Sequence, residues 1–380
     1  MDATPTLLEK IGLIAADLAA DSAENDRTGR IAPRVFSELA KTGLLGLTVS
    51  KAHGGAGAGM RETADVLRVL GKADPSVALI LAMHFIQHLI IARTENWPRH
   101  LAQKLVRDAT GGVGLINALR VEPEQGSPAR GGLPATVARR TAEGWRLTGR
   151  KIYSTGAPVL RWYLVWARTD EPDVRLGIFL VPAGLPGTRI VETWDHLGLR
   201  ASGSHDVIFD DVLFPLDHEI DVRKSEQWLK PDVIPLIIHP VLTAAVYDGV
   251  AQAARDWLLQ FLKTRAPSSL GAPLATLPRA QDIAGGIDAK LAVNARLIRT
   301  FVRDFDDGIT VTPNEAAIVK LMVTNNAVSV VEDALSLSSN HGLSRTNPLE
   351  RHYRDVLCGR VHTPQDDSTR ITAGRAALGI

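Results

Sequence analysis

Three hydroxyl side chains follow one another in the segment "GRKIYSTGAP", residues 149–158. Tyr153, Ser154 and Thr155 stand where a strand-like run ends before a glycine. Hydroxyls at a strand end can hydrogen-bond the edge of a bound cofactor, or they can simply cap a turn. A second segment, residues 111–132, is dense in Gly, Pro and Ser. Its backbone N–H groups can face a polar ligand, although an ordinary surface loop has the same composition.

Two histidines, His84 and His362, are candidates for proton transfer, because imidazole is the side chain that changes charge near neutral pH, and a third, His239, is a candidate substrate contact. His84 lies in an apolar helical run, where a hydrogen-bonded core histidine is the alternative. His239 precedes a proline and can instead mark the start of a helix. His362 follows a helix-start pattern and can instead have a capping or surface role. The residues alone leave both interpretations open for each histidine.

Composition excludes several classes of protein. The chain has 380 residues, of which 45% are hydrophobic and 22% charged, which predicts two or three domains with an ample core. A net charge of +1 gives no electrostatic case for nucleic acid or membrane partners. One cysteine, Cys358, and an N-terminus without a signal-peptide pattern predict a cytoplasmic protein. The longest apolar run, residues 76–92, is interrupted by polar side chains, so we expect a buried helix there.

The hydrophobic period changes twice along the chain. Residues 1–112 have helical spacing, residues 113–222 have short alternating runs separated by Gly, Pro and Asp, and residues 223–380 return to helical spacing. We therefore predict an α+β protein with an N-terminal helical domain, a middle β-barrel or sandwich domain, and a C-terminal four-helix bundle.

Five segments, in this order, resemble motifs of the acyl-CoA dehydrogenase superfamily. They are "GLLGLTVSKAHGGAG", "EPEQGS", "KIYST", "LGLRASGSHDVIFDDVLFP" and "NPLERHYRDV". The resemblance covers nearly the whole chain and implies the same three domains, with a flavin, FAD or FMN, between the β domain and the bundle. It also implies a homo-oligomer, dimer or tetramer, and an acyl-CoA-like or other small-molecule substrate. The redox partner that it implies is a flavin reductase or an electron-transfer flavoprotein.

The same resemblance implies roles for individual residues. The implied cofactor-binding set is Asn117, Ala118, Val121, Tyr153, Ser154, Thr155, Arg265 and Gly342. The implied substrate-binding set is Ser127, Trp194 and His239. Thr155 matches a Thr whose hydroxyl lies near flavin N5, and Arg265 matches an Arg that meets the pyrophosphate, which suits a planar guanidinium. Arg265 can instead be a solvated residue at a helix C-terminus, and Trp194 can instead be a packing residue.

The chain departs from the family at the catalytic carboxylate. Family dehydrogenases carry a Glu that removes the substrate α-proton. This chain has Thr363 at one known position of that Glu and His239 at the other. Asp366 and Asp367 lie close by in sequence. The family's adenine-side glycine pair is also replaced here, which leaves room for FMN.

The remaining polar residues resemble those of flavin monooxygenases built on the same fold. His84, Asn117, Thr155 and His362 match the groups around the flavin in that branch and form the predicted catalytic set. An oxygen-activating flavin needs a dry, hydrogen-bonding pocket, and a nearby carboxylate would add unneeded charge. We therefore favour a flavin monooxygenase that uses reduced flavin and O2 on a small organic substrate. The alternatives are an acyl-CoA dehydrogenase with a displaced or non-Glu base and an inactive flavin-binding member of the fold. No metal site is predicted.

Overall fold

Helices account for both ends of the chain in a computed structural model that describes residues 7–94, 97–124, 132–229 and 232–380. The helices of these described residues are α1 (Leu7–Thr28), α2 (Arg34–Lys41), α3 (Met60–Ala73), α4 (Pro75–Ile91), α5 (Arg99–Gly111), α6 (Val233–Thr264), α7 (Pro278–Asp306), α8 (Pro313–Ser338), α9 (Asn340–Leu343), α10 (Leu349–Leu357) and α11 (Asp366–Leu378). The four segments predicted to form the C-terminal bundle correspond to α6, α7, α8 and α11.

Strands occupy the middle of the chain and form one sheet. They are β1 (Ile116–Leu119), β2 (Val137–Arg140), β3 (Trp145–Lys151), β4 (Trp162–Thr169), β5 (Arg175–Pro182), β6 (Thr188–Val191), β7 (Asp206–Phe214) and β8 (Glu219–Lys224). Their order is β6-β7-β3-β2-β4-β5-β8, and β1 pairs in parallel with β4 beside β2. The predicted α+β class, with helical segments before and after a sheet-rich middle segment of the chain, is confirmed. The domain limits 1–112, 113–222 and 223–380 stay a prediction.

Helix α6 is the centre of the structure. It packs against α3, α4, α7, α8 and α10. By length and composition it is apolar enough to cross a membrane, with a mean hydropathy of 1.6 in its most apolar window, but 72% of that window is buried inside the protein. A helix that is apolar on most of its surface needs cover on most of its surface, so this composition fits its central place.

Two glycines allow α3 and α6 to cross closely. A Cβ added at Gly249 of α6 would lie 2.3 Å from the carbonyl oxygen of Arg68, and one added at Gly71 of α3 would lie 2.3 Å from that of Val246. Beside the crossing, the guanidinium of Arg68 donates to the buried carboxylate of Asp248 at 2.8 Å. The crossing therefore joins the N-terminal helices to the bundle through backbone contact and one partly buried ion pair.

Replacing Gly249 with Ala is expected to lower the free energy of unfolding by about 1–3 kcal/mol, because the added methyl group overpacks the crossing. Gly285→Ala is the matched control, since a Cβ at that helical position in α7 meets nothing within 4 Å. It is expected to stabilise the protein by about 0.5–1 kcal/mol, because Ala is the better helix former. Equilibrium unfolding in urea measures both, and equal effects would contradict the close crossing.

The segment "LGLRASGS", residues 197–204, is held against both helical parts. The Leu199 N–H donates to the Asp355 carboxylate at 2.7 Å. Arg354 donates to both carboxylate oxygens of Asp26 in α1, at 2.9 and 2.7 Å, and to the Leu197 carbonyl at 3.0 Å. A Cβ at Gly198 would lie 2.2 Å from the Arg354 carbonyl oxygen, so only glycine fits there. Small residues are thus needed where this turn meets α10.

Candidate functional site

Asn117 joins β1 to the turn that follows β3. Its Nδ2 donates to the Thr155 carbonyl at 3.0 Å, and its Oδ1 accepts from the Ala118 N–H at 2.7 Å. The side chain is buried, so both bonds are protected from water. Val121, the next residue of the predicted set on this side, accepts at its carbonyl from the Ile152 N–H at 3.0 Å. The structure thus brings together the two segments that the sequence predicted to meet.

Thr155 begins a chain of three hydroxyls. Its Oγ1 lies 3.0 Å from the Ser204 hydroxyl, which in turn lies 2.7 Å from that of Ser202. The turn "ASGS" can supply these two serines because Gly203 adopts a left-handed φ of +55° between them. A hydroxyl chain fixes each oxygen while leaving the direction of its protons free to match a ligand.

The neighbouring Ser154 hydroxyl fits a bound group. It is buried and has no hydrogen-bond partner among the described residues. Buried polar atoms nearly always have a partner, and those that lack one in a ligand-free protein commonly mark a place for a ligand or water. A flavin edge, which carries donors and acceptors, would satisfy this hydroxyl, so the residues present fit the cofactor that the sequence resemblance implied.

An aromatic surface lies beside these hydroxyls. Trp194 stacks on His196 with ring centroids 3.6 Å apart and planes at 11°, and Tyr153 meets both edge-on at 6.2 and 6.0 Å. Tyr153 is 55% exposed and has a left-handed φ of +55°. An exposed aromatic side chain on a strained backbone is unusual away from a functional site. His196 was missed, although its spacing of two from Trp194 places both on one side of an extended segment.

Both ring nitrogens of His84 are hydrogen-bonded to the backbone, which the prediction of a catalytic role did not include. Its Nε2 donates to the Leu45 carbonyl at 2.8 Å, and its Nδ1 accepts from the Ile116 N–H at 3.3 Å. Burial lowers its pKa to about 4, so the ring is neutral at pH 7. Because both ring nitrogens are engaged by the backbone, we propose that His84 positions β1 and does not itself contact a reacting group.

His239 in α6 and His362 before α11 face a common region. Burial, with Arg120 and Lys320 adding to it, lowers the pKa of His239 to about 4, against a hydrogen bond to the backbone of Thr363. Burial, with His239 and Lys320 adding to it, lowers the pKa of His362 to about 3. Both rings are therefore neutral at pH 7. The expectation that His362 changes charge near neutral pH is wrong for the protein without ligand, because burial outweighs the intrinsic basicity of imidazole.

Asp366, the carboxylate closest in sequence to the expected base, is already engaged. Its Oδ2 accepts from Asn325 at 2.7 Å, and its Oδ1 lies 3.8 Å from the Lys320 ammonium. Lys320 also donates to the Pro364 carbonyl at 3.0 Å. Asp367 is exposed and accepts from the Ser368 N–H at 2.8 Å. Neither carboxylate stands free beside Thr363.

The remaining predicted residues occupy separate places. Arg265 is exposed at the C-terminal end of α6, where its backbone N–H donates to the Phe261 carbonyl at 2.9 Å. Gly342 is buried in α9, and a Cβ there would lie 2.1 Å from the Ser338 hydroxyl. Ser127 lies outside the described residues. Arg265 thus lies at the C-terminal end of α6, whereas His239 lies near its N-terminal end. Gly342 lies just after the C-terminal end of α8.

Three charged side chains near the site were missed. Lys151 and Glu122 form a fully buried ion pair at 2.6 Å, just before the hydroxyl segment and just after β1. Arg120, two residues before Glu122, lies with its guanidinium carbon 5.1 Å from the centre of the Trp166 ring. Charged residues within strand-like segments were the available sign, because Lys and Glu are almost never fully buried unless they are paired.

Comparison with family models assigns the chain to the three domains of one family. Residues 12–96 match the N-terminal domain of acyl-CoA dehydrogenases, residues 120–212 the middle domain, and residues 241–378 the C-terminal domain. YdbM of Bacillus subtilis (strain 168), named as a candidate acyl-CoA dehydrogenase, is 32% identical over 95% of this chain and 93% of its own length. The chain therefore belongs to the acyl-CoA dehydrogenase family. It is accordingly a flavin-dependent oxidoreductase that takes FAD or FMN, as the resemblance of its motifs predicted.

Two further matches extend the comparison, and the first of them has a different named reaction. Amino sugar nitrososynthase DnmZ of Streptomyces peucetius is 30% identical over 94% of this chain and 89% of its own length. The X-ray structure of KijD3 in complex with FMN and dTDP-3-amino-2,3,6-trideoxy-4-keto-3-methyl-D-glucose has a TM-score of 0.85 and 27% identity, over 100% of this chain and 96% of that one. The family match fixes the fold and the cofactor class, and it leaves two reaction types to compare.

Proposed function

We propose that this chain is a flavin-dependent monooxygenase that uses reduced flavin and O2 to oxygenate a small organic substrate. The observation that carries the proposal is the absence, among the described residues, of a free carboxylate where family dehydrogenases place their base. Thr363 stands at one such position, and the neutral His239 stands at the other. Asp366 is held by Lys320 and Asn325. The likeness to nitrososynthases supports the same proposal and makes an amine nitrogen the first atom to test.

Each polar residue has a part that its contacts support. The Asn117 amide fixes the turn that carries Thr155, so that the three linked hydroxyls can hydrogen-bond the cofactor edge. Tyr153 and Trp194 offer an aromatic surface beside these hydroxyls, against which the flavin ring would pack. His239 and His362 stay neutral and can donate or accept hydrogen bonds without adding charge. When bound, the flavin supplies the electrons and the reaction with O2.

The outlying residues complete the proposed binding set. The exposed Arg265 guanidinium is available to the pyrophosphate of FAD. Gly342 lets the backbone pass close to Ser338 at the end of α8, where the resemblance places the adenine of FAD. Ala118 lies in β1, and the Val121 carbonyl, two residues after the strand, accepts from the Ile152 N–H just before the turn. We also propose a homodimer or homotetramer, which light scattering on the purified protein would measure, and a flavin reductase as the electron donor.

The second candidate is an acyl-CoA dehydrogenase with a displaced base, which the match to YdbM favours. It requires a carboxylate to approach the substrate. Asp366 would first have to leave Asn325 and Lys320, whose contacts stabilise its charged form. An electron-transfer flavoprotein would then replace the flavin reductase as the redox partner.

One pair of reactions separates the two candidates. Purified protein is loaded with FMN or FAD and supplied with NADH, an unrelated flavin reductase, O2 and a panel of small primary amines and carboxylic acids. Oxygenated product that requires both the protein and O2 supports the monooxygenase. The same protein is mixed anaerobically with acyl-CoA esters of several chain lengths. Bleaching of the flavin there, without oxygenated product in the first reaction, would overturn the monooxygenase in favour of the dehydrogenase.

Replacing Thr155 with Ala is expected to weaken flavin binding or turnover by about tenfold, because one hydrogen bond to the cofactor is lost and Ser204 loses a partner. Thr155→Ser keeps the hydroxyl and is expected to restore most of the loss. Flavin affinity is measured by fluorescence titration, and turnover by oxygen uptake. Normal binding and turnover in the Ala variant would remove Thr155 from the proposed site.

A further inference from the structure

Arg120 is a positive charge without a partner at the edge of the proposed pocket. No carboxylate of the described residues lies within 4.0 Å of its guanidinium, whereas Lys151 pairs with Glu122 at 2.6 Å and Lys320 approaches Asp366 at 3.8 Å. Its Nε is buried and makes no hydrogen bond to a described residue. The three cations of this region thus face two carboxylates, both already engaged, and Arg120 is the unmatched one.

Its surroundings are poor in water. The guanidinium carbon lies 5.1 Å from the centre of the Trp166 ring, and Trp166 itself is 5% exposed. A cation–π contact of this kind recovers part of the cost of leaving water, but it supplies neither a counter-charge nor an acceptor for the N–H groups. A half-buried guanidinium that has no carboxylate partner, and whose buried Nε lacks an acceptor, is costly, so its retention needs a reason.

The position of Arg120 on the chain turns it towards the proposed pocket. Successive side chains of an extended strand point to opposite faces, so Arg120 shares its face with Ala118, and Leu119 between them enters the main core. Ala118 belongs to the predicted flavin-binding set. Arg120 also lies close enough to His239 to contribute to the lowering of that histidine's pKa. We therefore place the guanidinium beside the proposed cofactor edge, within electrostatic reach of His239 in α6.

We propose that Arg120 is the anion-binding element of the substrate site and receives a carboxylate of a small organic acid. A guanidinium offers two parallel N–H donors, which match the two oxygens of a carboxylate. One unmatched positive charge calls for one negative charge, and a carboxylate carries one whereas phosphate carries nearly two. This deepens the proposed function by naming the substrate class, but anion binding can be measured without turnover.

The inference separates this site from one for acyl-CoA. The reacting end of an acyl-CoA is an uncharged thioester, which would leave the guanidinium unpaired in a water-poor pocket. A free organic acid, including an amino acid, brings its own counter-charge. We therefore expect the acid-bearing members of the amine panel to be the better substrates.

The experiment titrates the flavin-loaded protein with benzoate, with its uncharged counterpart benzamide, and with inorganic phosphate, and follows the flavin absorption spectrum. Benzoate is expected to bind at least tenfold more tightly than benzamide and more tightly than phosphate. In Arg120→Met this preference for benzoate over benzamide is expected to disappear, and in Arg120→Lys to be reduced. Arg189→Met, which removes an exposed positive charge from β6, is the matched control and should keep the preference.

Three outcomes would overturn the proposal. Equal binding of benzoate and benzamide to the unaltered protein would do so without any variant. Tighter binding of phosphate than of benzoate would assign the site to a phosphoryl group. An Arg120→Met protein that binds FMN at least tenfold more weakly while keeping the preference for benzoate would make Arg120 a flavin contact.

Thermal unfolding supplies a readout that does not depend on flavin chemistry. Without ligand, Arg120→Met is expected to have a higher Tm than the unaltered protein, because an unmatched buried charge has been removed. Adding benzoate should raise the Tm of the unaltered protein and leave that of the variant unchanged. A lower Tm for the variant without ligand would show that the guanidinium already has a partner within the protein. If the tests of both the monooxygenase and the dehydrogenase failed while these binding and Tm results held, the anion-binding site would remain supported independently of the proposed function.

Discussion

Replacing Glu122 with Gln is expected to lower the free energy of unfolding by about 3–5 kcal/mol, the usual effect of breaking a buried ion pair from one side. The Lys151 ammonium lies 2.6 Å from Glu122 Oε1, and the two side chains are 0% and 1% exposed. Glu122 also accepts from the Thr136 N–H and hydroxyl, at 3.0 and 2.6 Å, and from the Ala135 N–H at 2.6 Å. A Gln amide would turn an NH2 group towards one set of these donors.

The pKa shifts of the pair show that the Glu122 carboxylate is kept charged more firmly than the Lys151 ammonium. Burial lowers the pKa of Lys151 to about 8 in spite of Glu122. Burial raises the pKa of Glu122, but hydrogen bonds from Lys151 and Thr136 outweigh it and leave that pKa below its usual value. Without the Glu122 charge, Lys151 would lose its main support and become neutral more readily.

Urea unfolding at neutral pH measures the loss. Glu124→Gln is the matched control, since Glu124 is exposed two residues further on, and its effect should stay within about 0.5 kcal/mol. The double variant Glu122→Gln with Lys151→Met removes both charges, keeps an oxygen that accepts from Thr136 and Ala135, and should recover part of the stability. A loss below about 1 kcal/mol in Glu122→Gln would mean that water or another group already compensates Lys151.

Asp355→Asn is expected to remove a large part of the pH dependence of stability. Burial raises the pKa of Asp355 to about 7, and Asp26 adds to this, while the Leu199 N–H, Arg354 and Arg351 act against it. The folded state therefore keeps a proton that the unfolded state has lost. Between about pH 4 and pH 7 the folded state binds more protons, so stability falls with rising pH by about 1.4 kcal/mol per unit. The contribution of this group is present below pH 4 and is lost as pH rises through about 7.

The measurement compares unfolding free energies at about pH 5 and about pH 8. The variant should gain roughly 3 kcal/mol relative to the unaltered protein over that interval, because two of the pH units in the window are covered. Asn keeps an oxygen that can accept from Leu199. Asp210→Asn, at an exposed position of β7, is the control and should show no such gain. Parallel stability curves for Asp355→Asn and the unaltered protein would contradict a raised pKa.

The contact between the segment that carries Asn117 and the segment that carries Thr155 was predictable from the sequence. Asn117 and Thr155 belong to motifs whose order and spacing indicate the family, and a motif implies the three-dimensional contact that it serves. The structure adds the third member, since Ser204 extends the hydroxyl chain from a turn almost 50 residues away. The small residues of that turn were recognised, but their hydroxyl partners depend on tertiary packing.

The properties of the histidines were not predictable. The partners of His84 lie 39 and 32 residues away, and no local pattern identifies a backbone carbonyl or N–H as a ring's partner. Whether His239 and His362 carry charge depends on how much water surrounds them and on Arg120 and Lys320, which come from other elements. Residue type gives the intrinsic pKa, and only the fold gives the environment that changes it.

The central apolar helix also constrains how the chain can be made. Helix α6 is complete when Thr264 is added, and α8, which covers one of its sides, begins only at Pro313. That gap of roughly 50 residues corresponds to several seconds of translation at about 5–20 residues per second. Helices α3 and α4 are already synthesised and can cover the other side, so the nascent chain presents one uncovered apolar stripe during this interval. If translation paused between α6 and α8, a helix as apolar as a membrane-spanning segment would stay partly exposed to solvent. Binding of a chaperone to α6 at this stage would favour correct folding.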